Sequence, residues 1–247
     1  MRAIFIVGTG RSGTHFMARL LNGYENVWDP LKGKEKPSIL MDIAKAAIHH
    51  REPSASTVHY YREVLSQNTG VYLDQHHPNL FFVEKWSRLF DGCLFLYPTR
   101  PTVQVVASML RHGGVMGWYR YAENWRRRLI DRVPYPNQFL GIASRSELSC
   151  LPVHLLCAHR VLAHQRTFFS TAEKMNASLR SVDYQSLVND PYAELQNLFQ
   201  ESELQKLGRF QLVEKPKIES LSKYQDVLSE TQISEIEALE RETMCVL

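Results

Sequence analysis

The first residues of this chain that could do chemistry are Gly8-Thr9-Gly10-Arg11-Ser12-Gly13-Thr14-His15. Gly8, four intervening residues and Gly13 give the spacing of a phosphate-cradling loop, where backbone N–H groups and a helix N-terminus face an anion. The Gly-Lys-Ser/Thr ending of a nucleotide triphosphatase loop is missing. Thr14 stands at the lysine position, His15 stands at the magnesium-binding hydroxyl, and the cation is inside the loop at Arg11. Metal-assisted γ-phosphoryl transfer needs that lysine and that hydroxyl. The loop is therefore suited to holding phosphate and poorly built for a triphosphatase. A second basic position, Arg100, is followed eight residues later by Ser108. Those two converge on one anion only if the chain bends back between them.

The elements around these residues alternate. Ala3 to Val7 is a short apolar run that predicts a buried parallel strand. Phe16, Met17, Leu20 and Leu21 recur at helical spacing just after the loop. Leu80 to Lys85 predicts a second strand, Cys93 to Tyr97 a third and Leu179 to Asp183 a fourth. Helical patterns cover Pro37 to Arg51, Thr57 to Ser66, Pro101 to about Arg111, Pro152 to about Asn176 and Glu230 to Thr243. Asn22 to Lys36 reads as a polar connection. His112-Gly113-Gly114 ends a helix, an irregular stretch follows, and a further helix is expected from Tyr121 to Ile130. Strands alternating with helices predict an α/β fold: a P-loop-like, three-layer arrangement with a central, mainly parallel sheet flanked by helices. Its site belongs at the C-terminal edge of the strands.

Gly10-Arg11-Ser12-Gly13-Thr14 resembles the 5′-phosphosulfate loop of sulfotransferases that use 3′-phosphoadenosine 5′-phosphosulfate (PAPS). The embedded arginine is similar to that of the tyrosylprotein and carbohydrate branch. Arg100 and Ser108, with Val105-Val106 between them, are similar to the family's 3′-phosphate motif, although Pro101 and Thr102 stand where an aspartate is usual. Ser181-Val-Asp-Tyr184, followed by Leu187 and Asp190-Pro191, resembles the segment whose tyrosine lies beside adenine. Glu214-Lys215-Pro216 resembles the segment that covers the cofactor. The resemblance implies PAPS as donor, adenosine 3′,5′-bisphosphate as product, and contacts to the nucleotide from Gly10, Arg11, Ser12, Gly13, Thr14, His15, Arg100, Ser108, Tyr184 and Lys215.

It also implies catalytic roles. Glu84-Lys85-Trp86 resembles the family's active-site lysine stretch, and sulfuryl transfer builds negative charge on the oxygen that bridges sulfur to the departing nucleotide. A fixed cation there stabilises the transition state more than the ground state; Lys85 and Arg11 are the candidates. The position where small-molecule sulfotransferases carry a histidine is Ser87 here. Relatives with a carboxylate base point to Trp28-Asp29-Pro30, making Asp29 the first choice, with Glu84, Glu35 and His76-His77 as alternatives. An Asp-Pro pair is also a common turn signal. The length suits one domain over residues 1–247, and the stretch at about 112–150, which the resemblance does not reach, is expected to be a helical or looped insertion shaping the acceptor site. Trp118, Tyr119, Tyr121 and Trp125 supply either acceptor-facing aromatic surface or core packing there.

The composition of the 247 residues sets limits. A net charge of +3 without a basic tail argues for local anion sites and against a nucleic-acid surface. Cys93, Cys150, Cys157 and Cys245 are too dispersed for a zinc site and read as reduced thiols. No stretch has the length and apolarity of a membrane span, and no leader is visible, which predicts a soluble, bacterial-type, cytoplasmic enzyme. The acceptor (small molecule, carbohydrate, lipid or peptide) and the oligomeric state are not readable. Two other readings stand beside this one: a P-loop nucleotide kinase, and a non-catalytic relative that binds the nucleotide without turning it over.

Overall fold

The computed structural model describes residues 1–32, 34–67, 70–123, 133–175, 178–216 and 218–245, with the side chains of 118 and 120–123 excepted. The expected helix from Tyr121 to Ile130 falls largely outside these residues. The chain divides into two compact units, residues Met1–Ala46, Glu52–Arg100 and Phe168–Ile218 in one, and Ala47–Arg51, Pro101–Thr167 and Glu219–Leu247 in the other.

The first unit holds a five-stranded sheet. Its strands are β1 (Ala3–Ile6), β2 (Val27–Trp28), β3 (Val71–Asp74), β4 (Cys93–Thr99) and β5 (Leu179–Asp183), in the order β2-β3-β1-β4-β5. Every pairing is parallel, with Ile4 opposite Leu73 on one side and Leu94 on the other. All four residues of β1 and of β3 are buried, as a parallel sheet covered on both faces requires. Helix α1 (Thr14–Leu21) follows β1 directly, and Phe5 stacks on Phe95 at 5.2 Å within the core. With β1 central, the loop leaving it has the end of β3 on one flank and the ends of β4 and β5 on the other. In open α/β sheets this is where ligands bind.

Three expectations are corrected. Leu80 to Lys85 is not a strand: His77–Phe82 is a 3-10 turn and Val83–Leu89 is an α-helix. Leu80, Val83 and Trp86 are buried while Glu84 and Arg88 are exposed, a period of about three that seats one helical face in the core. A short apolar run cannot by itself separate a buried helix from a buried strand. The strand on this side is β3, whose Val-Tyr-Leu-Asp lies just upstream, and the supposed polar connection contributes edge strand β2. Nor do Gly113 and Gly114 open an irregular stretch. They begin the helix Gly113–Glu123, where His112 caps the first turn by accepting Val115 N–H on Nδ1 at 3.3 Å.

In the second unit, helices Thr102–Leu110 and Glu230–Met244 pack together, with Thr102 Oγ1 bonded to the Glu240 carboxylate. His154 meets Glu235 at 2.6 Å, joining the long helix Val153–Met175 to the same C-terminal helix. Tyr119 is buried, so this member of the aromatic group packs inside the unit. Among the described residues no helix is long and apolar enough to cross a membrane.

Candidate active site

The glycine loop is tightly built. Ser12 N–H and Ser12 Oγ both bond to the Thr9 carbonyl, at 3.2 and 2.8 Å, closing a turn between the two outer glycines. Gly13 has φ of 110°, a left-handed conformation that suits glycine, and caps α1. A Cβ there would stand 2.3 Å from the Tyr184 ring, so the glycine also lets β5's following residue close over the loop. Arg11 adopts φ of 81° without being glycine. Left-handed backbone costs a residue with a side chain about 1–2 kcal/mol, and residues held there cluster at functional sites.

On the β4–β5 flank, Arg100 Nη1 donates to the Arg11 carbonyl at 3.4 Å, and its guanidinium lies 4.5 Å over the Tyr184 ring. Phe16 meets the same ring edge-on at 6.1 Å. Arg11 and Arg100 are both half-buried. Burial holds the pKa of each below the ordinary arginine value, and Arg11 pushes Arg100 further in that direction. Two partly desolvated guanidiniums close enough to feel each other's charge gain from an anion between them. Tyr184 is buried and touches Gly13, Arg100 and Phe16, so it shapes the arginine flank as well as lining it.

The β3 flank carries different chemistry. The Gly8 N–H donates to the His77 carbonyl at 2.9 Å, and a Cβ on Gly10 would stand 3.1 Å from His77 Nε2. The other ring nitrogen, Nδ1, meets Glu35 Oε1 at 2.9 Å, while His15 lies 4.0 Å from Glu35 Oε2. Burial pushes the Glu35 pKa up, but the hydrogen bond from His77, joined by the charge of His77 and His15 when they are protonated, outweighs it and holds the carboxyl below its ordinary value. An ionised carboxylate only accepts, so Nδ1 carries the proton and the basic lone pair of the neutral ring is on Nε2, the edge against Gly10.

Solved structures of known proteins share this architecture. The chain is similar to the sulfotransferase domain from the curacin biosynthetic pathway, at 12% identity and a TM-score of 0.55, covering 96% of each chain. It is similar to the sulfotransferase domain from the Synechococcus PCC 7002 olefin synthase, at 13% identity and 0.54, covering 96% of this chain and 94% of that one. The sulfotransferase from Alicyclobacillus acidocaldarius matches at 13% identity and 0.55, covering 97% and 91%. This is the sulfotransferase fold. No protein-family model matches the chain, and no curated protein matches it.

Within the sulfotransferase fold, the expected residues separate into groups. Gly10, Arg11, Ser12, Gly13, Thr14, His15, Arg100 and Tyr184 all lie on the loop, the start of α1 or the residues that follow β4 and β5. Ser108 lies in the second unit, half-buried on the helix Thr102–Leu110. Lys215 is exposed, but its neighbour Glu214 pairs with Arg19 of α1 and fastens that segment beside the helix. Lys85 is not at a strand end: it sits in the helix Val83–Leu89 and pairs with Glu52, while Glu84 reaches Lys174 at 3.5 Å. Asp29 closes a turn, with Oδ1 accepting Leu31 N–H and Oδ2 accepting Asn22 Nδ2, both at 2.8 Å. Sequence reasoning gave Glu35 and His77 only as alternatives and missed Asp74. The signal was Val71-Tyr-Leu-Asp-Gln-His-His-Pro78, a strand that runs into polar residues and a proline.

Proposed function

We propose that this protein is a sulfotransferase that takes a sulfuryl group from PAPS and gives it to a hydroxyl or amine of its acceptor. The observation that carries the reading is the pairing of Arg11 and Arg100 beside the glycine loop, two partly buried cations with a tyrosine ring under one of them. That donor set fits a nucleotide bearing several negative charges near a flat base. Arg100 and the loop amides would hold its phosphates, with Tyr184 bracing Arg100 from below. Bound donor supplies an activated sulfuryl group, whose bond to the 5′-phosphate oxygen breaks as one to the acceptor oxygen or nitrogen forms. Arg11, inside the loop, is the cation suited to the charge that gathers on the departing phosphate. Lys85 serves this role less well, because Glu52 already neutralises it.

For the base, His77 replaces Asp29 as first choice. Its Nε2 edge lies against Gly10, and Glu35 fixes the tautomer that makes Nε2 basic and stabilises the imidazolium formed when it takes the acceptor's proton. Asp29 spends its oxygens on a turn.

The test is calorimetric titration of adenosine 3′,5′-bisphosphate into the protein without magnesium, beside Arg100→Ala. Micromolar binding that collapses in the variant supports the reading. Indifference to this nucleotide together with a magnesium-dependent response to ATP overturns it in favour of a kinase. Binding without release of adenosine 3′,5′-bisphosphate from PAPS across a panel of alcohols, phenols and amines favours a non-catalytic relative.

A further inference from the structure

Two consecutive histidines leave the end of β3 and both reach the same two-residue segment, Glu35-Lys36. His77 takes the Glu35 side chain, as described. His76 takes the backbone: its Nε2 accepts the Lys36 N–H at 2.9 Å. His76 is fully buried, and its Nδ1 faces Asp74 Oδ2 at 2.7 Å. The Asp74 carboxylate, at the last residue of β3, also accepts from the His76 N–H and Asn79 Nδ2, each at 3.0 Å, and from the Tyr72 hydroxyl at 3.2 Å. Asn79 is held in turn, donating to the Tyr61 hydroxyl at 2.7 Å and accepting Trp86 Nε1–H at 2.8 Å.

This network has one consistent proton assignment. Four donors converge on Asp74, which satisfies it as a carboxylate. His76 must then donate from Nδ1, and the Lys36 amide requires a lone pair on Nε2. Burial works to lower the His76 pKa and Asp74 raises it, with a net upward pull. The amide aimed at Nε2 nevertheless demands the neutral ring, since a protonated Nε2 would face an N–H donor. A buried polar network with every member satisfied is rigid, and losing one partner leaves the others exposed to the full cost of desolvation.

We infer that His76, held by Asp74, is a positioning residue that grips the Lys36 amide and so seats the Glu35 carboxylate on His77. It reaches no substrate. Its effect passes through one backbone amide to the neighbouring side chain, and from there to the tautomer of His77. The inference rests on the reading of His77 as base for its functional meaning, but the positioning itself is measurable without any substrate.

The experiment is long-range imidazole ¹H–¹⁵N correlation on the ¹⁵N-labelled full chain at pH 7.5. In the unmodified protein His76 shows a proton on Nδ1 only, and a coupling across the hydrogen bond links the Lys36 nitrogen to His76 Nε2. His77 shows the Nδ1–H form alone. His76→Asn keeps a donor toward Asp74 but cannot reach Lys36, so His77 is expected to become a mixture of both tautomers. His76→Gln, whose side-chain carbonyl can extend to the Lys36 amide, restores the single form. Affinity for adenosine 3′,5′-bisphosphate changes less than about twofold in His76→Asn. A His77 that keeps its single tautomer in His76→Asn overturns the inference, and so does a proton on His76 Nε2 in the unmodified protein, a result that needs no variant to fold. If the nucleotide does not bind while the tautomers behave as expected, the sulfotransferase reading fails and the positioning stands.

Discussion

On one flank of the glycine loop the neighbours are Arg100 and Tyr184; on the other they are His77 and, through it, Glu35. Both flanks are built from residues just beyond the C-terminal ends of parallel strands, yet they differ in electrostatic design. The arginine flank sets two like charges in a partly desolvated place, where burial lowers the pKa of both and Arg11 lowers that of Arg100 further, against the pull of Tyr184. The histidine flank is neutralised internally, by a carboxylate that its histidines hold ionised. On the proposed reading, the first binds charge and the second moves a proton. Division of labour of this kind predicts that Arg100 and His77 can each be removed without disabling the other, while Arg11, which also feels Glu35, stands between them.

The largest effect is expected from His77→Asn. Removing a positioned base costs about 10²–10⁴ in rate, measured as release of adenosine 3′,5′-bisphosphate from PAPS with an acceptor found by the panel. Calorimetric affinity for the product nucleotide should stay within about twofold. Arg100→Ala should do the reverse at the binding step: affinity falls by about 100-fold, as when one partner of a desolvated charge-assisted contact is lost. Lys85→Ala, which removes a cation already paired with Glu52, should leave affinity within about threefold. A loss of affinity in Lys85→Ala as large as in Arg100→Ala would mean that the lysine leaves Glu52 to reach the nucleotide.

The two flanks were not equally legible in the sequence. Arg11 and Gly13 stood out because the loop depends on local order, and local order is what spacing reports; Arg100 stood out only by resemblance. Tyr184 could be placed only by resemblance. The histidine flank depends on contacts between residues about 40 positions apart, Glu35 with His77 and Lys36 with His76. No spacing rule reaches that far. The error over residues 80–85 compounded this, since it put a strand where a helix lies and hid β3, the strand that delivers both histidines. Asp29 was attractive because it precedes a proline near the loop, and the same proline context is what makes it a turn residue. Strands β1, β4 and β5 were legible because apolar runs are local signals, whereas the two-residue edge strand β2 is too short to give one.

Gly13→Ala should damage the arginine flank from beneath. The new methyl would lie 2.3 Å from one Tyr184 ring carbon and 2.6 Å from another, in a backbone conformation that disfavours it. Tyr184 must shift, and Arg100 rides on its ring. We expect a loss of about 1–3 kcal/mol in chemical denaturation together with weakened nucleotide binding. Unchanged binding in a destabilised protein would show that Arg100 does not need the tyrosine.

Arg11→Gly should separate stability from function within one residue. It relieves the left-handed strain and removes the cation that lowers the Arg100 pKa, while giving up the attraction of Arg11 to Glu35. Glycine's freer unfolded chain offsets part of this. The expected net is a gain of about 1 kcal/mol, seen as a rise of a few degrees in melting temperature, with nucleotide binding and turnover both reduced. A lower melting temperature would mean that Arg11 contributes more to the fold than its backbone costs.

The smallest effect tests the histidine flank by acid. The Glu35 carboxyl is held below its ordinary value in the folded protein, with burial opposing and His77 first among the groups that prevail. A carboxyl depressed on folding contributes stability above its unfolded pKa, about 4.3, and that contribution disappears as pH falls through the lower folded value. Glu35→Gln removes this one contribution, so its stability should depend less steeply on pH below about 4.3 than that of the unmodified protein, in a range where the histidines are already protonated in both. The comparison is made by urea denaturation across that range. Curves that run parallel below that pH would mean that the Glu35 carboxyl is as easily protonated folded as unfolded, and that the histidine flank does not hold it as a charge.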